Sequence, residues 1–195
     1  MVRTIKKGVK IIGIACSSFN REKEKTVPIV GVIYRGKELF EGMLTSTITI
    51  DGEDATKTII EMVTKSTHYE QLKAIFTRGV TIGGFNYIDL EELARKTNLP
   101  VISIVDHQPD MAKIEKALKN LPNGQYRWII IQKNGPPKAV RSNPKEEPVY
   151  VQFIGLSQQE AHQLIQNATV TGRIPEPLRI ARLIAIALRD FPIIL

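Results

Sequence analysis

Four aspartates fall where elements of an α/β chain would end: Asp51 and Asp54 within DGED, Asp89 before an amphipathic stretch, and Asp106 after an apolar run. Carboxylate oxygens are hard ligands, and Mg2+ or Mn2+ held by one or two of them beside substrate phosphates serves phosphodiester hydrolysis. Asp51 and Asp54 are therefore the candidate metal ligands, and Asp51, Asp54 and Asp89 the candidate catalytic acids. Structural duties compete for the same residues. Asp54 and Asp89 are well placed to cap helices, and Asp51-Gly52 is a turn dipeptide. An arginine complicates the picture. The run LKAIFT at 72–77 reads as a buried strand, yet it ends on Arg78-Gly79. Arg78 could pair with Asp51, Asp54 or Asp106, balancing the charge of a cleft in place of a cation. A guanidinium is also a good fork for phosphate.

Other chemistries lack their parts. The three histidines, His68, His107 and His162, accompany no G-x-S-x-G elbow. Only His107, beside Asp106, is expected near a cleft. Gly79, Gly83 and Gly84 precede no Lys-Ser or Lys-Thr, and their spacing misses the dinucleotide fingerprint. A single cysteine and no paired histidines argue against zinc. Cys16 has no histidine or CxxC neighbour and reads first as a small buried hydrophobe.

These groups need elements to hold them. Residues 9–15, 27–34 and 39–50 are apolar or β-branched runs separated by short hydrophilic turns, which predicts an antiparallel meander. After Asp54, Ile59, Ile60, Met62 and Val63 give a helix an apolar face as far as residue 66. Strand 72–77, helix 90–97, strand 100–105 and helix 110–121 then alternate, which predicts parallel additions to the same sheet. Residues 126–132 (YRWIIIQ) and 149–154 (VYVQFI) read as two further strands around a Pro-, Lys- and Glu-rich surface excursion. Ser157 caps a helix through Ala168, and Pro175 or Pro177 opens a last one through Ile186.

Composition sets the bounds. The chain has 195 residues, 43% hydrophobic and 24% charged, which suits a single soluble domain with a full core. One cysteine precludes an internal disulfide, so a cytoplasmic location is expected. No stretch approaches the ~20 apolar residues of a membrane span, and no membrane partner is expected. The formal net charge of +7 permits a polyanionic partner. The basic residues are spread along the chain, the nearest approach to a tract being Arg3, Lys6, Lys7 and Lys10.

Three phrases carry a resemblance: GVTIGGFNYIDLEELARKTNLPVISI, the upstream DGEDATKTI, and IPEPLRIARLIAIAL near the end. The chain is similar over its whole length to an archaeal family related to endonuclease V, with members described as deoxyuridine endonucleases. The resemblance implies a ribonuclease-H-like α/β fold. That fold is a mixed five-stranded sheet in the order 3-2-1-4-5 with helices on both faces, here extended by C-terminal strands and helices. It also implies metal-binding acids at the ends of the central strands.

This chain departs from that pattern. Where the family's first strand ends in a phrase like Gly-Ile-Asp-Asp, it carries Gly13-Ile14-Ala15-Cys16. Where the fourth strand ends Leu-Asp-Gly, it carries Thr77-Arg78-Gly79, and Arg182 stands where the last helix often has a histidine. Ala15 and Cys16 are thus vestigial positions, while Arg78, Phe85, Asn86 and Arg182 are candidates for substrate contact. The resemblance points to DNA or RNA binding without metal-dependent cleavage, and hence to no cofactor. Two alternatives stand beside it. One is an active Mg- or Mn-dependent endonuclease on deaminated bases through the remaining carboxylates. The other is a protein-interaction module, with the apolar tail 191–195 as its patch. Oligomeric state is open, a homo-oligomer included.

Overall fold

Strand β1 (Lys10–Cys16) is buried on both faces over five consecutive residues, and only the centre of a covered sheet offers such a place. In the computed structural model, which describes residues 8–190, it lies there. Arg3, Lys6 and Lys7 and the tail 191–195 lie outside the described residues. Strands β2 (Thr26–Arg35) and β3 (Leu39–Thr49) complete the antiparallel meander on one side of β1. Helix α1 (Ala55–Thr64) crosses over, and β4 (Leu72–Thr77) joins the other side of β1 in parallel. A two-residue hairpin, β5 (Thr81–Ile82) with β6 (Asn86–Tyr87), stands apart from the sheet. Helix α2 (Leu90–Thr97) then leads to β7 (Val101–Val105), parallel to β4.

The chain continues through α3 (Met111–Leu118), α4 (Gly124–Lys133), β8 (Lys138–Val140), β9 (Val149–Ile154), α5 (Gln158–Asn167) and α6 (Glu176–Asp190). The full sheet order is β3-β2-β1-β4-β7-β9-β8. Its first five strands are the ribonuclease-H-like order expected from the resemblance. The last two pair antiparallel as a hairpin added to the β7 edge.

The sheet is covered on both faces. Ile12, Ile14 and Ile75 pack with Ile59 and Val63 of α1 and with Leu90 and Leu93 of α2. On the opposite face Ile11, Phe76 and Ile102 meet Leu164 and Ile165 of α5 and Leu178 of α6. Ala15, Val30 and Val32 form a third group with Ala181 and Ala185 of α6. Among the described residues no helix is long and apolar enough to cross a membrane.

Several boundaries move, each for a physical reason. The stretch 126–132 is not a strand but most of α4. Its buried residues, Gly124, Arg127, Ile130 and Ile131, follow a helical spacing in which the inward-facing polar member, Arg127, disguises the stripe. Helix α3 stops at Leu118, short of 121, before a turn in which Asn123 adopts a left-handed backbone. Helix α6 runs past Ile186 to Asp190. The caps at Asp89 and Ser157 form as expected, the second as a complete capping box with Glu160. Asp54 is the N-cap residue of α1, but its side chain makes no capping hydrogen bond.

Helix α6 comes very close to β1. An ideal Cβ on Gly13 would lie 2.5 Å from the Pro177 carbonyl carbon and 2.7 Å from the Leu178 nitrogen. The absent side chain thus sets how near α6 can bring Arg182 to the strand ends. Gly13→Ala is expected to destabilise the protein by about 1–3 kcal/mol through overpacking against backbone. Denaturant unfolding measures it, and unchanged stability would mean that α6 does not seat on β1.

Candidate functional site

Parallel strands β1, β4 and β7 end side by side, and the crevice outside such ends is where open α/β sheets hold ligands. β1 delivers Cys16 and Ser17 to this edge, β4 delivers Arg78 and β7 delivers Asp106. Gly79, with φ of 92°, turns the chain immediately after Arg78. Arg78 Nη2 donates to Asp106 Oδ2 in a partly buried ion pair. The other carboxylate oxygen, Oδ1, is buried without a partner.

Two hollows meet here. One of about 270 Å3 is lined by Cys16, Ser17, Ser18 and Gly83, the other of about 450 Å3 by Asp106, Arg173, Ile174 and Leu183. Arg78 and Arg182 line both. Burial pushes the Arg78 guanidinium pKa down; Asp106 opposes that shift, whereas nearby Arg182 and Arg173 add to it. Arg173 and Arg182 make no ion pair among the described residues, whereas Arg179 spends its charge on Glu176 at 2.6 Å. Burial raises the Cys16 thiol pKa above its ordinary value, against the opposing field of Arg182 and a backbone hydrogen bond from Gly83. A thiol so placed is protonated at neutral pH and is a poor ligand or nucleophile.

The other candidate acids sit elsewhere and are committed. Asp51 accepts from Arg21 Nε at 2.8 Å and Nη2 at 3.2 Å, and from the Phe85 N–H at 2.8 Å. The Arg21 guanidinium also lies 5.5 Å from the Phe19 ring centre and 5.9 Å from that of Phe85. Asp54 accepts from Thr49 Oγ1 at 2.9 Å and from Asn86 Nδ2 at 2.5 Å. The first N–H of α1, that of Ala55, donates to Asn86 Oδ1 at 2.9 Å, so Asn86 takes over the cap. Asp89 caps α2 through Glu92 N at 2.9 Å and pairs with Lys133 at 3.3 Å.

The structure therefore brings Cys16, Arg78 and Arg182 together. It gathers Asp51, Asp54, Phe85 and Asn86 into a second cluster around the β5–β6 turn, and leaves Asp89 apart on α2. Ala15 is fully buried against α6 and offers nothing to the cleft. Among the described residues no group of three or more histidine, cysteine or acidic side chains could hold a metal ion.

Two residues with structural weight here escape sequence reasoning. Arg127 is 3% exposed; it donates to the Gly52 carbonyl at 2.8 Å and the Phe85 carbonyl at 3.0 Å, and pairs with Glu53 at 3.2 Å. It ties α4 to both the DGED turn and the β5–β6 turn. A charged residue inside an apolar run is the only trace of this in the sequence. Arg173 leaves no trace except its place just before the IPEPLRIA phrase.

The geometry has clear relatives. The endonuclease V of Ciona intestinalis, solved in complex with a 24mer DNA containing an inosine followed by a ribo-adenosine, superposes with a TM-score of 0.64 at 15% identity. That match covers 94% of this chain and 87% of the other. The fold is thus the ribonuclease-H-like one of endonuclease V. A protein of unknown function from Archaeoglobus fulgidus matches more closely, with a TM-score of 0.82 at 36% identity over 92% of this chain and 97% of that one. A UPF0215 protein of Methanosarcina barkeri is 41% identical over 181 residues, 93% of this chain and 91% of its own length. The sequence profile of endonuclease dU matches residues 7–189, and the chain belongs to that archaeal, endonuclease-V-related family.

Asp51 yields a pH prediction. Burial works to raise its pKa, but hydrogen bonds from Arg21 and the Phe85 N–H, with the fields of Arg21 and Arg127, hold it below the ordinary value. A carboxyl depressed in the folded state stabilises fully above its unfolded pKa of about 3.9, and that contribution fades as pH falls through the folded value. Asp51 has φ of 54°, a left-handed backbone that asparagine also tolerates. Asp51→Asn is therefore expected to cost about 1–3 kcal/mol at neutral pH. Unfolding at pH 7 and at pH 3 checks this: the gap to wild type should narrow in acid, and a constant gap would deny the carboxylate its role.

Proposed function

We propose that this protein binds nucleic acid through phosphate at the C-terminal ends of β1, β4 and β7, and does not cut it by metal-assisted hydrolysis. The observation that carries this is the convergence of Arg78, Arg173 and Arg182 with, among the described residues, only Asp106 to balance them. Three guanidiniums beside one carboxylate repel one another and invite an anion. Guanidinium forks suit phosphate oxygens in particular. The family's endonuclease dU profile, the DNA complex of the structural relative and the net charge of +7 favour nucleic acid as that anion.

A divalent ion fits these residues poorly. The strand ends offer a protonated thiol, a hydroxyl and a guanidinium that already holds Asp106. A unit positive charge at ~4 Å from another costs about 4 kcal/mol at an effective dielectric of 20, and a divalent ion would face more. Asp51 and Asp54 are spent on Arg21, Thr49 and Asn86. No hydrolytic step through Mg2+ or Mn2+ is assigned to this donor set.

Binding of labelled single- and double-stranded oligonucleotides should weaken log-linearly as salt rises. Arg182→Gln and Arg173→Gln should each weaken it for every sequence and reduce the salt slope by about one. Absence of binding at low salt would refute the proposal. Cleavage of uracil- or hypoxanthine-containing DNA by the wild type with Mg2+ or Mn2+ would refute its second half.

A gain-of-function variant tests the donor set directly. Because Ala15 points into the core, the acids belong at the two positions that face the cleft. Cys16→Asp with Arg78→Asp would free Asp106 and should create Mn2+ binding measurable by calorimetry, with each single variant falling well short of half the effect. Equal Mn2+ affinity in wild type and double variant would show that the arginine is not what bars the ion.

A further inference from the structure

We infer that the nucleic acid held in this cleft is an end carrying a terminal phosphate monoester, not an internal stretch of backbone. This rests on the nucleic-acid reading above and specifies its substrate class.

Charge is the first ground. Arg78 and Arg182 line both hollows and Arg173 lines the larger one beside them, and among the described residues Asp106 is the one acid lining either hollow. Two positive charges are left over. An internal phosphodiester brings one negative charge. A terminal phosphate brings about −1.5 to −2 at neutral pH, with three strong acceptor oxygens. The protein pays for this cluster in mutual repulsion, since Arg182 and Arg173 both disfavour the charged form of Arg78. A dianion relieves that repulsion where a monoanion relieves only part.

The second ground is how narrowly the free charge is confined. A protein that follows a continuous strand lays cations along its path. Here the next arginines of α6 are already paired, Arg179 with Glu176 and Arg189 with Glu24. Beyond the arginines, the larger hollow presents Ile174, Leu183 and Ile186, and Leu183 is 52% exposed. The smaller one presents Cys16, Ser17, Ser18 and Gly83. Arg189 also reaches the smaller hollow, donating to Ser18 Oγ at 3.0 Å, but its charge is shared with Glu24, and among the described residues neither hollow is lined by a further unpaired cation. One concentrated spot of unpaired positive charge, flanked by an apolar wall on one side and by hydroxyl, thiol and backbone groups on the other, suits one highly charged phosphate with its nucleoside laid against a wall. Apolar surface there would cover a base or sugar and repel a second phosphate.

The same chemistry is offered by a 5′-phosphate and by a 3′-phosphate, and the experiment separates them. Oligonucleotides of one sequence, labelled at an internal base, are prepared with a 5′-phosphate, with a 3′-phosphate, with hydroxyls at both ends, and as a closed circle. Anisotropy at fixed ionic strength gives the affinities. At least one phosphorylated form should bind about tenfold tighter than the hydroxyl form, the worth of one further charge-assisted hydrogen bond. That preference should shrink below pH ~6 as the phosphate takes up its second proton. It should also be lost in Arg182→Gln and in Arg173→Gln, both on accessible side chains whose removal leaves the core intact. Equal affinity for all four forms would overturn this inference while leaving nucleic-acid binding in place. Binding of none of them would overturn both.

Discussion

The ion pair between Arg78 and Asp106 decides what this edge of the sheet can be. Parallel pairing on both sides fixes the end of β4 between those of β1 and β7, so residue 78 has neighbours whatever its identity. A partly buried guanidinium needs a partner, and Asp106 at the end of β7 supplies it. That pairing removes the one carboxylate at the strand ends from other use. It also leaves Arg182 and Arg173 without a counterion among the described residues. In the proposed reading, anion affinity and a poor fit to a divalent cation are two results of one contact.

The rest of the molecule holds that contact in place. Helix α6 reaches the strand ends because Gly13 lets it pack against β1, and it arrives with Arg182 facing the cleft. On the other side the β5–β6 turn borders the smaller hollow with Gly83 and Gly84. That turn is fixed from below by two devices: Asp51 accepts from the Phe85 N–H, and Arg127 donates to the Phe85 carbonyl. Asp51 and Asp54, candidates by residue type and by their place at element ends, serve as the frame of the cleft. Asp51, Asp54 and Asn86 close hydrogen bonds among three segments of chain.

Much of the fold can be read from the residues because local pattern and tertiary role agree there. β1 is apolar on both faces since it is central, Asp89 and Ser157 are good caps that do cap, and the helix over 90–97 has the observed bounds. Reading fails where a polar residue serves the interior. Arg127 looks like a solvent-facing residue in a β-branched run, yet it is the hub beneath two turns, and α4 was hidden with it. Asp54 looks like a cap until Asn86, more than thirty residues later, takes its place. Arg78 and Arg182 stand out by type and by resemblance. Arg173 joins them only through the long excursion that brings the segment before α6 back over the sheet, and no local pattern encodes that return.

The central claim is that guanidinium, not metal, meets phosphate at these strand ends. The most direct measurement is an anomalous difference map from crystals grown with Mn2+ and a phosphorylated oligonucleotide. This account predicts phosphate oxygens within hydrogen-bond distance of Arg78, Arg173 and Arg182, and no anomalous peak beside Asp106. A Mn2+ peak coordinated by Asp106 and bridging to the phosphate, with Arg78 swung away, would contradict it.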